Sequence, residues 1–142
     1  INFNLNIAIK KKLIFKKPVV IYRIFISILH SIVIVKFLEF KDILLVAKKS
    51  SDGYQAFLIN EQVKYIIFFK KIFKYLRIDS CLIKSLSILI FLKKNNFKPV
   101  MNIGVLIKDN EFKSHAWLIL DNKILTDRPE NFSEYKLINT IK

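Results

Sequence analysis

The first part of the chain carries apolar residues at mixed steps of three and four positions. This spacing, between residues 20 and 48, is typical of a helix with one buried face and predicts one or two packed helices. The positions on this face are Ile24, Ile28, Ile32, Val35 and Leu38. The run Ser-Ser-Asp-Gly at 50–53 then predicts a loop that separates these helices from the remainder.

Two further helices are predicted before residue 95. From Glu61 to Leu76, apolar residues recur at helical spacing with lysines between them, which indicates an amphipathic helix. The next helix follows Asp79 and Ser80, which are both good N-cap residues. One face of it holds Cys81, Ser85, Ile88, Leu89 and Leu92. The cysteine therefore falls in the first helical turn.

After Pro99 the chain changes to β-rich runs separated by Asp-Asn pairs at 109–110 and 121–122. Residues 99–128 are predicted to form an antiparallel meander. Gly104 would weaken its first strand unless a backbone, a bulge or a substrate approaches closely there. The tail after Pro129 is polar and weakly patterned, and no element is predicted in it.

These elements predict a single α+β domain over residues 1–142. Residues 1–60 form its N-terminal helical segment, and residues 61–142 form a core with a helix that carries the cysteine and a C-terminal antiparallel sheet. A chain of 142 residues is long enough to bury one hydrophobic core, and 53% of it is hydrophobic.

The chain has a formal net charge of +14, and nearly all of its basic residues are lysine. Two interpretations remain open. The lysine excess can reflect AT-rich coding, or it can attract an anionic membrane surface, a nucleic acid or an acidic peptide. Nucleic-acid binding is not favoured, because no stripe of arginine interleaved with aromatic residues is visible.

A single cysteine and two histidines exclude an internal disulfide framework and offer too few ligands for a structural zinc site. A reducing, cytoplasmic setting fits best. The most hydrophobic stretch, Val19 to Val35, is interrupted by Arg23 and His30, so a buried or interfacial helix is favoured over a membrane span. Association with a membrane surface stays open, and His30 is expected to be a core or interface residue. The lysines before Pro18 precede no small-residue cleavage site and do not predict a secretory signal.

Cys81 is the first candidate for chemistry. A thiol at a helix N-terminus lies at the positive end of the helix dipole beside unpaired N–H groups, which favour thiolate and can hold an oxyanion. The alternative is a small buried hydrophobe, which is the usual role of a lone intracellular cysteine.

His115 begins the strand His-Ala-Trp-Leu-Ile-Leu and is the candidate base. On a strand, its side chain shares a face with Trp117 and Ile119. Trp117 is expected either to shield the imidazole, to line a substrate groove or to fill the core. The alternative for His115 is an exposed strand end.

Three carboxylates are candidates for orienting the imidazole: Asp121, Asp127 and Glu130. A three-residue connection at 121–123 would place Asp127 opposite Trp117 and diagonal to His115, on the same face. A two-residue turn would turn Asp127 to the other face, so the turn length tests this assignment. Asp121 is expected to serve the turn itself.

Local sequence over about residues 60–130 resembles the lasso-peptide leader peptidases, a family of papain-like or transglutaminase-like cysteine proteases. The resemblance lies in the Cys-Leu helix at 81–89, Asn-Ile-Gly-Val at 102–105, His-Ala-Trp at 115–117 and Leu-Thr-Asp at 125–127. It implies Cys81 as nucleophile, His115 as general base and then acid, and Asp127 as orienting carboxylate.

The resemblance also implies that the substrate is the leader region of a ribosomally made precursor, and that no metal or organic cofactor takes part. It implies a separate leader-recognition protein and an asparagine-synthetase-like cyclase as partners. The segment from Ile24 to Leu45 is the expected docking surface, with core packing as the alternative. Two other functions stay open: acyl transfer to an amine on the same scaffold, and a non-enzymatic basic module with a structural Cys81.

Overall fold

The computed structural model describes residues 18–49, 62–129 and 131–142. Over these ranges the chain forms four α-helices and then a four-stranded antiparallel sheet, which confirms the α+β prediction. The helices are α1 (Pro18–Phe37), α2 (Phe40–Lys49), α3 (Gln62–Tyr75) and α4 (Cys81–Lys94). The strands are β1 (Val100–Lys108), β2 (Glu111–Leu120), β3 (Lys123–Ile124) and β4 (Lys136–Ile141), with a 3-10 turn at Phe132–Glu134.

The N-terminal pattern corresponds to two helices, where one or two were predicted. The break between them lies at Leu38 and Glu39, and the Glu39 carbonyl accepts the first N–H groups of α2. The buried Lys93 then ties α2 to the core, because its ammonium donates to the Ala47 carbonyl at 2.8 Å. Burial lowers the pKa of Lys93. The loop expected at 50–53 lies outside the described residues.

Helix α4 is the centre of the fold, because it packs against α1 on one side and against β2 on the other. Every residue from Ser85 to Lys93 is buried, so the helix is enclosed on all sides rather than on the single face that was predicted. The buried hydroxyl of Ser87 is satisfied within the helix, because it donates to the Ile83 carbonyl at 2.7 Å. A helix enclosed in this way fixes the position of its N-terminus.

Helix α3 is amphipathic as predicted, and it packs Tyr65 and Phe69 against Phe91 of α4. The ring of Phe69 meets that of Phe91 edge-on, with centroids 5.3 Å apart. The helix ends at Tyr75, two residues before Arg77, which has a φ of 54°, and the Ile78 N–H donates to the Phe73 carbonyl at 2.9 Å. This 6→1 bond around a left-handed residue is a Schellman C-cap, which usually takes glycine.

The sheet has the order β3-β2-β1-β4. Its two hairpins turn at Asp109-Asn110 and Asp121-Asn122, and all four of these residues have positive φ, as two-residue type I′ turns require. The meander is confirmed. The prediction of a three-residue connection at 121–123 is wrong, because Leu120 pairs directly with Lys123 and leaves a two-residue turn. Asp and Asn tolerate the left-handed conformation better than most residues, so this tight turn forms without glycine.

Strand β4 was not predicted from the polar tail. It pairs with β1 as an edge strand, and among its residues Ile141 is the buried one, so its sequence carries little alternation. A register shift in this pairing lies between Ile103 and Gly104. The pairing is long-range, and local sequence pattern does not report it.

Gly104 allows the close approach that the sequence anticipated. A Cβ atom at this position would lie 2.9 Å from Cη2 of Trp117 and 3.2 Å from the Lys136 carbonyl oxygen. Glycine is therefore needed so that the indole can pack closely against β1 at this position.

Helix α1 is apolar on its outer side as well as its inner side. Its most apolar window has a mean hydropathy of 2.1 and is 33% buried, so its length and composition would suit either a membrane span or the core helix of a soluble protein. The large exposed residues are Val19, Tyr22, Phe25, Ile26, Leu29, Val33 and Phe37. His30 lies on the exposed side, so it is not a core residue, and the alternative expectation of an interface residue stays a prediction. Partial desolvation and then the charge of Lys94 lower the pKa of His30.

Candidate active site

Cys81 is the first residue of α4, as predicted. Ser80 is the N-cap: its φ and ψ are −61° and 116°, and its hydroxyl accepts the Ile83 N–H at 3.4 Å. The Ser80 carbonyl accepts the first intrahelical bond, from Lys84, at 3.1 Å. The partly buried thiol therefore lies at the positive end of a 14-residue helix.

The fold brings Cys81 and His115 together. They line one cavity of about 290 Å³ at the junction of α4, β2 and the segment after β3. The other lining residues are Asp79, Lys84, Ala116, Thr126 and Asp127. Among the contacts of the described residues there is no hydrogen bond between the thiol and the imidazole, so the two groups share the cavity without being paired.

The imidazole of His115 is held at one nitrogen. Its Nε2 lies 3.0 Å from the backbone carbonyl oxygen of Asp127. A carbonyl only accepts hydrogen bonds, so in the neutral ring Nε2 carries the proton and Nδ1 keeps the lone pair. This tautomer leaves Nδ1 as the atom that can take a proton from the thiol.

The carboxylate of Asp127 has different partners. One oxygen lies 3.5 Å from Nζ of Lys70, and the other lies 3.6 Å from Nζ of Lys84. The two-residue turn accounts for this direction, because it removes the register that would have brought the carboxylate onto the face of His115. Asp127 therefore reaches the imidazole through its main chain, and its catalytic role stays a prediction. Asp121 lies in the turn, as expected.

Two hydrogen bonds that the sequence did not reveal hold the segment before Asp127. The Leu125 N–H donates to the Leu118 carbonyl at 2.8 Å, and the Leu118 N–H donates to the Thr126 hydroxyl at 3.0 Å. The side chain of Thr126 thus replaces the backbone partner at the point where the chain bends away from β2. Glu130, the third candidate carboxylate, lies outside the described residues.

Helix α4 is also joined directly to the strand of the histidine. The buried hydroxyl of Ser85 donates to the Ala116 carbonyl at 3.0 Å. Ser85 lies one helical turn after Cys81, and Ala116 follows His115. This bond therefore fixes the helix that carries the thiol against the strand that carries the imidazole.

Two aromatic rings, those of Trp117 and Tyr135, contact the imidazole of His115. The Trp117 ring stacks on it with an interplanar angle of 16° and centroids 6.2 Å apart. Trp117 itself is 5% exposed and packs edge-on against Phe132. Tyr135, which the sequence did not single out, meets His115 edge-on at 6.1 Å. Trp117 supports the imidazole and is not among the residues that line the Cys81 cavity.

The side chains of this cavity suit nucleophilic chemistry. The thiol lies at a helix N-terminus, the imidazole has a defined tautomer, and backbone N–H groups of the first helical turn are available for an oxyanion. Over the described parts of the chain, no three His, Cys, Asp or Glu side chains cluster as metal ligands.

In a comparison with protein families, the family model of the transglutaminase-like superfamily matches residues 35–140 of the chain. The matched range includes Cys81, His115 and Asp127. No curated protein and no solved structure matches the chain.

Proposed function

Because the chain belongs to the transglutaminase-like superfamily, we propose that it is a cysteine peptidase that removes the leader from a lasso-peptide precursor. Membership of this superfamily supports a cysteine protease or acyltransferase type of activity. The observation that carries the proposal is the cavity shared by Cys81 and His115. The assignment to leader removal rests on the sequence resemblance around these two residues.

In the first proposed step, Nδ1 of His115 takes the thiol proton of Cys81, and the sulfur attacks the carbonyl carbon of the last leader residue. The S–C bond forms, and the oxyanion lies near N–H groups of the first turn of α4. The C–N bond then breaks, and the imidazolium gives its proton to the departing amine of the core peptide. This step leaves a thioester on Cys81.

In the second step, His115 takes a proton from water, and the resulting hydroxide attacks the thioester carbon. The C–S bond breaks, the leader leaves as a free carboxylate, and the thiolate recovers a proton. If an amine takes the place of water, the same thioester gives an amide. Hydrolysis and acyl transfer therefore differ only in the second nucleophile.

The part of Asp127 in this reaction follows from its contact with His115. Its carbonyl, 3.0 Å from Nε2, selects the tautomer that leaves Nδ1 basic. Its carboxylate, between Lys70 and Lys84, holds the segment in place. An Asp127→Asn variant keeps the carbonyl, so it should retain more activity than a His115→Ala variant.

The exposed apolar side of α1 supports the proposal of a separate leader-recognition partner. Seven large apolar residues of this helix are exposed, and Phe40 and Leu45 of α2 are exposed as well. So many large apolar residues exposed on one helix are typical of an interaction site. The recognition protein would present the precursor, and an asparagine-synthetase-like cyclase would close the released core peptide.

The test is leader release from a lasso precursor in the presence of its recognition protein, followed by mass spectrometry. The wild-type chain should give free leader and core peptide, and Cys81→Ala and His115→Ala should give neither while still binding the precursor. Added amines should not become joined to the leader. Leader release by Cys81→Ala would overturn the proposal, and a leader amide would assign the chain to acyl transfer instead.

A further inference from the structure

A second cavity, of about 440 Å³, adjoins the one that holds Cys81 and His115. The two cavities share four lining residues: Asp79, Lys84, Thr126 and Asp127. Since these residues line both cavities, the larger space lies next to a substrate bound at the thiol. We call this larger space the α3–α4 cavity, because most of its remaining lining comes from these two helices and the segment that joins them.

The lining of the α3–α4 cavity has an apolar part and a charged part. Phe73, Ile78 and Ile88 supply the apolar surface. Its volume is within the range of cavities that bind small ligands, and it is large enough for a peptide side chain.

The charged part is predominantly basic. Four cations line the cavity, Lys70, Lys74, Arg77 and Lys84, against the two carboxylates of Asp79 and Asp127. Lys70 and Lys84 both point at the Asp127 carboxylate, at 3.5 and 3.6 Å. Among the described residues, neither Lys74 nor Arg77 forms an ion pair. The cavity therefore keeps an excess of positive charge.

Arg77 occupies a backbone position that disfavours it. Its φ of 54° places it in the left-handed region, at a C-cap position where glycine is the usual residue. An arginine there carries a conformational cost that glycine would avoid. Arg77 is one of the residues that line the α3–α4 cavity, and the planar fork of a guanidinium is suited to bind a carboxylate through two parallel hydrogen bonds.

We propose that the α3–α4 cavity binds an acidic side chain of the acyl donor, next to the carbonyl that Cys81 attacks. This inference rests on the proposed function for the identity of the acyl donor. Lys74 and Arg77 bind the carboxylate, and the apolar residues receive the methylene groups of a glutamate or aspartate. The substrate class is a peptide with an acidic residue close to its cleavage site.

The test uses two alkylating probes that differ by one charge, the bromomethyl ketone of N-acetyl-glutamic acid and its γ-methyl ester, which both carry the side chain on the acyl side of the carbonyl. Each reacts by attack of the Cys81 sulfur on the bromomethyl carbon, which forms the S–C bond and releases bromide. The measured quantity is the ratio of the two second-order rate constants, acidic over neutral, from intact mass spectrometry. This ratio has meaning even if Cys81 reacts slowly.

The expected ratio is at least about fivefold at low ionic strength, and it should decrease in about 1 M salt. A Lys74→Gln, Arg77→Gln double variant should bring the ratio close to one. A Lys64→Gln, Lys71→Gln double variant removes the same charge from α3 at positions that do not line the cavity, and it should keep most of the ratio.

A ratio near one in the wild-type chain, or equal losses in the two double variants, would overturn the acidic-residue proposal. Failure of the proposed function would be seen separately, in the absolute rate with the neutral probe. That rate would then be no higher than for glutathione and would not change in His115→Ala. The two proposals can thus fail independently.

Discussion

Removing the hydrogen bond between the Leu118 N–H and the Thr126 hydroxyl tests directly how the site is held together. Thr126 is 9% exposed, Leu118 is fully buried, and the donor–acceptor distance is 3.0 Å. Thr126→Val keeps the shape of the side chain but removes the acceptor. A buried N–H left without a partner costs about 1–3 kcal/mol, so this variant should lose about that much free energy of unfolding.

Thr126→Ser is the matched control, because it keeps the hydroxyl and removes one methyl group, at a cost of about 0.8 kcal/mol. Urea unfolding followed by circular dichroism measures both variants. With a slope of about 2 kcal/mol per M, Thr126→Val should lower the midpoint by about 0.5–1.5 M, more than the serine variant does. A valine variant as stable as the serine variant would refute the reasoning, because it would mean that the hydroxyl does not satisfy the Leu118 N–H.

Three further predictions follow from single contacts. Gly104→Ala should cost about 1–3 kcal/mol in thermal or urea unfolding, because its Cβ would lie 2.9 Å from the Trp117 ring; unchanged stability would contradict the close packing. Arg77→Gly should raise the free energy of unfolding by about 0.5–1 kcal/mol because it relieves the left-handed φ, and a loss would contradict the C-cap assignment. The pKa of His30 in the folded chain is lowered from 6.5 by desolvation and by Lys94. In the pH window between this lowered pKa and 6.5, the unfolded chain therefore binds more protons than the folded chain. The free energy of unfolding should therefore fall slightly as the pH decreases through this window, and His30→Gln should reduce this dependence; an identical pH profile in the variant would contradict it.

The helices could be predicted because their signals are local. The N-cap of α4 is a serine followed by a helical run, and α3 has the alternation of apolar residues and lysines that one buried face produces. Cys81 could therefore be placed at a helix N-terminus from the sequence alone. His115 could be placed on a strand face with Trp117 because side chains two apart on a strand point the same way.

The parts that could not be predicted depend on long-range contacts. Strand β4 is an exposed edge strand whose pairing with β1 gives its sequence no clear period. The direction of the Asp127 carboxylate depends on a turn one residue shorter than expected, and on lysines from α3 and α4. Local pattern also could not show that α4 is enclosed by other elements, because a fully buried helix has no polar face.

The central claim is that Cys81 and His115 act as one nucleophilic unit. The most direct measurement is the rate of alkylation of Cys81 by the neutral bromomethyl ketone probe near pH 7, in the wild-type chain and in His115→Ala, with both proteins confirmed to be folded. The account predicts that wild-type Cys81 reacts faster than glutathione and that His115→Ala loses at least about tenfold in rate. Equal rates in the two proteins would contradict it, because the thiol would then react without the imidazole.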